Sequence, residues 1–207
     1  MLKVKKIISG QIEVNCYVVY DGDSKKSVVI DPGEDGDKVI KEIKAGGFIP
    51  EMLINTHGHY DHMLSDILVQ KEFNIPLAAY EDEADMIKDP LKNASALFVP
   101  GGVSGNPEIL FSDGEEVRLS FATFKVLHTP GHTPGGMCLV FDGFVMTGDT
   151  LFAGTIGRTD LPGGSYEDIM RSLSKLKKLP PETIVYPGHG SQTTIANELR
   201  HNPYLGN

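Results

Sequence analysis

His57-Gly58-His59-Tyr60-Asp61-His62 places four potential metal ligands within six residues. Imidazole and carboxylate donors suit zinc, iron or manganese and need no thiolate. A lone histidine is more often a surface or satisfied core residue. Three histidines and an aspartate this close fit packing badly, because without a cation they would leave unpaired polar groups. The cluster follows Met52-Leu53-Ile54-Asn55, an apolar run that reads as a buried strand. The ligands are therefore expected in a loop at a strand's carboxyl end, where open α/β sheets place their sites.

The same context recurs downstream. His132 lies in His128-Thr129-Pro130-Gly131-His132-Thr133-Pro134-Gly135, Asp149 in Thr147-Gly148-Asp149-Thr150, and His189 in Pro187-Gly188-His189-Gly190. Each segment follows an apolar run, and each donor has a glycine beside it, as a crowded loop requires. His57, His59 and His132 would give one metal three imidazoles. Asp61, His62 and His189 would give a second metal two imidazoles and a carboxylate, with Asp149 shared between them. Structural zinc sites are closed and usually cysteine-rich, so an open set of nitrogen and oxygen donors is catalytic in character. Two metals about 3.5–4 Å apart would activate a bridging water and clamp an oxyanion.

These loops need strands to carry them. Val4 to Ile8, Glu13 to Tyr20 and Ser27 to Ile30 read as strands, with Asp21-Gly22-Asp23 as a hairpin turn. Lys38 to Ala45 has helical apolar spacing and stops at Gly46-Gly47. A helix is predicted over 63–73, a strand over 76–79, and an acidic helix beginning at Glu81-Asp82-Glu83. Strands are predicted over 116–119, 121–127, 137–141, 144–146 and 183–186, and helices over 166–176 and 193–199. Ser165 is the expected N-cap of the first of these helices. Strands with interspersed helices in both halves imply a two-sheet core covered by helices. The loop from Pro100 to Pro107 shows no composition shift that would make it a domain linker.

The chain has 207 residues, 40% hydrophobic and 23% charged, which suits one substantial soluble core. The net charge of -9 argues against a phosphate-binding surface, so no nucleic-acid partner is expected. Cys16 and Cys138 sit in apolar runs and read as buried free thiols. The basic start, Met1 to Lys6, is followed only by Ile7-Ile8, too short for a signal peptide's apolar core. No run is long enough to span a membrane, and a cytoplasmic location is expected.

His57-x-His59-x-Asp61-His62 with His132, Asp149 and His189 resembles, in order and type, the motif of the metallo-β-lactamase superfamily. Ile30-Asp31-Pro32-Gly33 adds N-terminal support. The resemblance implies an α/β fold, a four-layer αββα sandwich with two divalent metals at one edge between the sheets. Gly131-His132-Thr133-Pro134-Gly135, the stretch from Phe152 to Asp160, and Asn202-Pro203-Tyr204-Leu205 are most similar to short glyoxalase II (hydroxyacylglutathione hydrolase)-like proteins. That type implies zinc-dependent hydrolysis of a small-molecule thioester such as S-lactoylglutathione, with iron or manganese as alternative metals. Full-length members carry a helical C-terminal substrate domain. Only 18 residues follow His189, so a single domain over 1–207 without that unit is expected.

The expected chemistry is attack of a metal-bridging hydroxide on the carbonyl carbon, with thiolate departure. Asp61 is a metal ligand and also the candidate catalytic residue that orients the hydroxide or carries its proton. Asp31 is expected to hold a ligand imidazole from behind. His128 reads as a structural strand-end residue, His201 as exposed, and Tyr166 as packing. Arg158 and Asp160 are expected to pair or to hold their loop. The rival reading is the persulfide dioxygenase branch, which would hold one iron through His57, His132 and Asp149. Hydrolysis of another ester, a lactone or a phosphodiester is a further alternative. β-Lactam hydrolysis ranks low, because Asp149 stands where one lactamase group has a cysteine.

Overall fold

The computed structural model describes residues 1–206 and contains two six-stranded sheets. The first comprises β1 (Leu2–Ser9), β2 (Val14–Asp21), β3 (Lys26–Ile30), β4 (Ile49–Ile54), β5 (Leu77–Tyr80) and β6 (Ile109–Phe111), in that spatial order. The second contains β7 (Glu116–Arg118), β8 (Thr123–His128), β9 (Met137–Phe141), β10 (Phe144–Gly148), β13 (Ile184–Pro187) and β14 (Thr193–Thr194). Leu151–Phe152 and Thr155–Ile156 form a separate small hairpin, β11 and β12.

Side-chain alternation along the strands creates the layers. Tyr17, Val19, Val28, Ile30, Met52 and Ile54 point inward and meet Phe124, Val126, Leu139 and Met146 of the second sheet. Their neighbours Cys16, Val18, Val29 and Leu53 point outward, against α1 (Gly36–Ala45) and α3 (Asp66–Phe73). Cys138, Val145 and Val185 pack outward against α6 (Tyr166–Leu176) and α7 (Ile195–His201). The result is the expected αββα sandwich. Both cysteines are buried and free, and among the described residues no helix is long and apolar enough to cross a membrane.

Strand direction explains why the loops converge. β3, β4 and β5 are mutually parallel. β10 and β13 are parallel, and β8 runs the same way as β10 because both oppose β9. The carboxyl ends of these strands therefore gather at one edge of each sheet. Hydrogen bonds from Met137 N to Thr56 O (3.0 Å) and from Asn15 N to Gly188 O (2.7 Å) join the sheets at that edge.

Several predicted elements differ in detail. The helix expected over 63–73 starts later, as α3 from Asp66, and a separate single turn, α2 (Tyr60–Met63), precedes it. The His62 carbonyl accepts Gly33 N at 3.1 Å, and Ser65 N donates to Gly33 O at 2.9 Å. The Asp31–Gly33 turn thus takes the bonds that would have continued the helix. The acidic segment is a 3-10 turn over Glu81–Glu83 followed by α4 (Ala84–Lys88), with Glu83 fully buried. The last helix begins at Ile195, because Thr193–Thr194 pairs with β13, and Thr194 accepts Asn197 N at 3.1 Å as its cap. Ser165 caps α6 as expected, accepting Asp168 N at 3.2 Å. Tyr166 is 57% exposed rather than packed. The sequence reading lacked α5 (Ser95–Phe98), β6 and the small hairpin. The chain passes from one sheet to the other between β6 and β7, after the Pro100–Pro107 loop.

Asp66 is buried at the start of α3, and Asn55 Nδ2 donates to its Oδ1 at 3.2 Å. Asp66 Oδ2 and Asn55 Oδ1 are both buried without partners. Burial lifts the Asp66 carboxyl well above the ordinary carboxylate range, with the Asn55 bond opposing. Burial of an oxygen with no donor to satisfy it makes the fold favour the neutral acid. That contribution is complete below about pH 4 and fades as pH rises towards the folded value. Asp66→Asn is expected to stay within about 1 kcal/mol of wild type at pH 7 and to flatten the stability profile above pH 4. Asp66→Ala should cost about 1–3 kcal/mol. Urea melts at stepped pH measure both, and a steeper profile for Asp66→Asn would contradict the neutral pair.

Candidate metal centre

All seven predicted donors meet at the common edge of the sheets. Three sets have ligand atoms within 4.8 Å of one another: His57, His59 and His132; His57, His62 and Asp149; and Asp61, His62 and His189. β4 supplies the loop from His57 to His62, and the segments after β8, β10 and β13 supply His132, Asp149 and His189. Gly188 permits the last approach, since a Cβ there would collide with Asp149 Oδ1 and lie 2.8 Å from His62 Cε1.

Hydrogen bonding fixes which nitrogen faces the centre in His57, His132 and His189. His132 Nδ1 donates to the Arg158 carbonyl at 2.7 Å, and His189 Nδ1 to the Ile12 carbonyl at 3.1 Å. The Thr56 hydroxyl donates to Asp31 Oδ2 at 2.7 Å, so its oxygen accepts from His57 Nδ1 at 3.2 Å. Asp31 Oδ2 also lies 3.1 Å from His62 Nδ1, off the direction of a good hydrogen bond, so this attraction is chiefly electrostatic. In each ring the other nitrogen, Nε2, keeps its lone pair for the centre. His59 presents Nδ1 instead, 2.9 Å from His132 Nε2.

The separations suit cations. Tetrahedral donors at zinc distances lie about 3.3 Å apart. His62 Nε2 to His189 Nε2 is 3.3 Å, His189 Nε2 to Asp61 Oδ2 is 3.4 Å, and His132 Nε2 to Asp149 Oδ2 is 3.5 Å. His57 Nε2 and Asp149 Oδ1 are buried without hydrogen-bond partners, the condition expected of atoms reserved for a metal.

Electrostatics point the same way. Burial, reinforced by the neighbouring rings, holds His57 well below the ordinary imidazole value. Burial likewise brings His59 down to about 3. Both rings stay neutral, with a lone pair to offer. Burial disfavours charge on His62 too, but Asp61, Asp149 and Asp31 outweigh it and raise that ring to about 10. Asp61 falls well below the carboxylate range, because His62 and His189 overcome its burial. The carboxylates thus demand positive charge at the centre.

The site opens through a cavity of about 360 Å³. His59, Asp61, His132, Asp149 and His189 line it, while His57 and His62 lie behind. A second cavity, of about 370 Å³, lies beyond the stacked rings of Tyr60 and Phe98 and reaches only Asp61 of the seven. Sequence reading missed several supporting residues. Asn15 Nδ2 donates to the carbonyls of Pro187 and Gly190, both at 2.9 Å, and the Tyr17 hydroxyl donates to Pro187 O at 2.8 Å, which together hold the His189 loop. A polar Asn15 inside an apolar strand was the available signal. Glu83 had none, because it sits in an acidic run. His128 ends β8 and stacks on Tyr80, and Arg158 pairs with Asp160 through two 2.8 Å bonds.

A sequence model described as the metallo-beta-lactamase superfamily matches residues 10–189. The chain belongs to the metallo-beta-lactamase superfamily. Within it, the chain is 35% identical to the hydroxyacylglutathione hydrolase GloC of Haemophilus influenzae, over 92% of each chain. Among solved structures it is similar to BLEG-1, described as a B3 metallo-beta-lactamase (TM-score 0.94, 35% identity, 99% of this chain and 100% of that one). It is also similar to TTHA1623 in a di-iron-bound form (TM-score 0.84, 33% identity, 97% and 100%). The superfamily fold and the His/Asp cluster make this chain a metallo-hydrolase type of protein that suits divalent metals.

Metal removal gives a direct check of the fit. Leaving His57 Nε2 and Asp149 Oδ1 without partners costs about 1–3 kcal/mol each, and about 1 kcal/mol moves the melting temperature by about 2–4 °C at this chain length. Exhaustive chelation is expected to lower the melting temperature by several degrees, with recovery on adding zinc or iron. An unchanged calorimetric trace after complete metal loss would count against the cluster as a metal centre.

Proposed function

We propose that this protein is a metal-dependent hydrolase of thioesters such as S-lactoylglutathione. His57, His59 and His132 hold one divalent ion, Asp61, His62 and His189 hold a second, and Asp149 serves both. The observation that carries the reading is the placement of five of these donors on one cavity. The similarity to GloC supports thioesters as the substrate class. Zinc suits the donor set, and the di-iron form of TTHA1623 makes iron the alternative.

Divalent ions held here would supply Lewis-acid charge and lower the pKa of a nearby water. The chain's own groups do the rest. The carbonyls of Arg158 and Ile12 and the Thr56 hydroxyl lock the ring orientations. Asp61, facing the cavity with Oδ2 3.4 Å from His189 Nε2, orients the attacking water by accepting a hydrogen bond from it. Breaking the C–S bond releases a thiolate, a good leaving group that needs little acid assistance. Ile12, Leu97, Phe98 and Leu161 line the cavity with apolar surface, which excludes bulk water and suits an acyl chain. Lys92 adds a cation at the wall for an anionic thiol carrier, while Arg158 is engaged by Asp160.

The test is a thioester panel, including S-lactoylglutathione and non-glutathione thioesters, with metal quantified in the same samples. Hydrolysis should vanish on chelation and return with metal. His59→Ala and Asp149→Ala should each lower kcat/KM by more than the roughly 100-fold typical of losing an outer partner of a ligand. One iron per chain with sulfide-dependent oxygen uptake and no thioester cleavage would sink the proposal. The similarity to BLEG-1 favours one second reading, β-lactam opening, so a chromogenic cephalosporin belongs in the panel. Faster turnover of that compound than of every thioester would replace the first reading with the second.

A further inference from the structure

Glu83 is fully buried in the 3-10 turn that follows β5, and the chemistry above does not use it. Its Oε1 accepts the Gly58 amide at 2.7 Å, and its Oε2 accepts the Gly135 amide at 2.6 Å. Gly58 lies between His57 and His59. Gly135 closes the loop that carries His132 and leads into β9. One loop leaves the first sheet and the other belongs to the second. We infer that Glu83 is a positioning residue whose carboxylate clamps these two loops together and sets the spacing of His57, His59 and His132.

Three observations support the clamp. A buried carboxylate is costly unless its oxygens are satisfied, and here both are taken by backbone amides of the two loops. Only a carboxylate presents two acceptors: a glutamine in its place would turn an NH2 group towards one of the N–H donors. The backbone is shaped around the group. A Cβ on Gly135 would collide with the Glu83 backbone nitrogen and sit 2.5 Å from Oε2, and a Cβ on Gly58 would lie 3.2 Å from Oε1. Burial also raises the Glu83 carboxyl to about 7, against the opposing pull of the amide bonds, so the fold bears a cost for keeping an acid there.

The inference rests on the ligand assignment proposed above, and the metal content of the wild-type protein tests that assignment separately. Purified Glu83→Gln is compared with wild type by chelator competition for the bound metal and by the absorption spectrum of the cobalt-substituted protein. Leu173→Ala, a cavity in the outer core beneath α6, controls for general loss of stability. Glu83→Gln is expected to weaken metal binding about 10–100-fold and to shift the cobalt spectrum, with the Leu173→Ala protein unchanged in both. Metal affinity and spectrum like wild type in Glu83→Gln would overturn the clamp, as would an equal loss of affinity in Leu173→Ala. If Glu83→Gln does not fold, Glu83→Asp takes its place. Its carboxylate is one methylene too short to reach both loops, and the same two readouts decide.

Discussion

An imidazole nitrogen can donate a hydrogen bond or offer a lone pair, but not both, and the candidate metal centre depends on that constraint. Four of the five rings have one nitrogen engaged by a carbonyl, a hydroxyl or a carboxylate. What remains is a set of lone pairs and carboxylate oxygens aimed at one small volume. The preparation is done by groups remote from the donors in sequence. Asp31 serves both Thr56 and His62, and Ile12 and Arg158 contribute only their carbonyls.

The sandwich exists, from the site's point of view, to bring two sheet edges together. Neither sheet carries enough donors alone. The first supplies the dense loop after β4, and the second supplies single donors after β8, β10 and β13. Parallel relations among these strands put their carboxyl ends at one edge. Backbone bonds between Met137 and Thr56, and between Asn15 and Gly188, hold the edges in register. The buried core between the sheets provides the rigidity on which tenths of an ångström at the centre depend.

Much of this was legible in the chain. The apolar runs before Asp31, His57 and His189 marked strands correctly. The amphipathic spacing of Val39, Ile40 and Ile43 marked α1. The misreadings have two causes, distant backbone partners and short elements. Residues 63–73 carry a helical pattern, yet the turn at Gly33 takes the Ser65 amide and delays the helix to Asp66. Glu83 looks like a solvated charge at a helix start, yet two amides from distant loops surround it. Short edge elements such as β6 and β14 have too few residues for a periodicity to show.

The sequence by itself determined the chemistry of the donors, since side-chain type fixes which cations they suit, and it determined the strands that end beside them. The spacing of the first four donors is local and is written in six consecutive residues. The tertiary structure decided what locality cannot: which nitrogen each ring presents, how far apart the donors stand, and which five of them face the cavity. Those features depend on partners up to 177 residues away along the chain, as between His189 and Ile12. No local pattern encodes such a distance, because it is set by how two sheets pack.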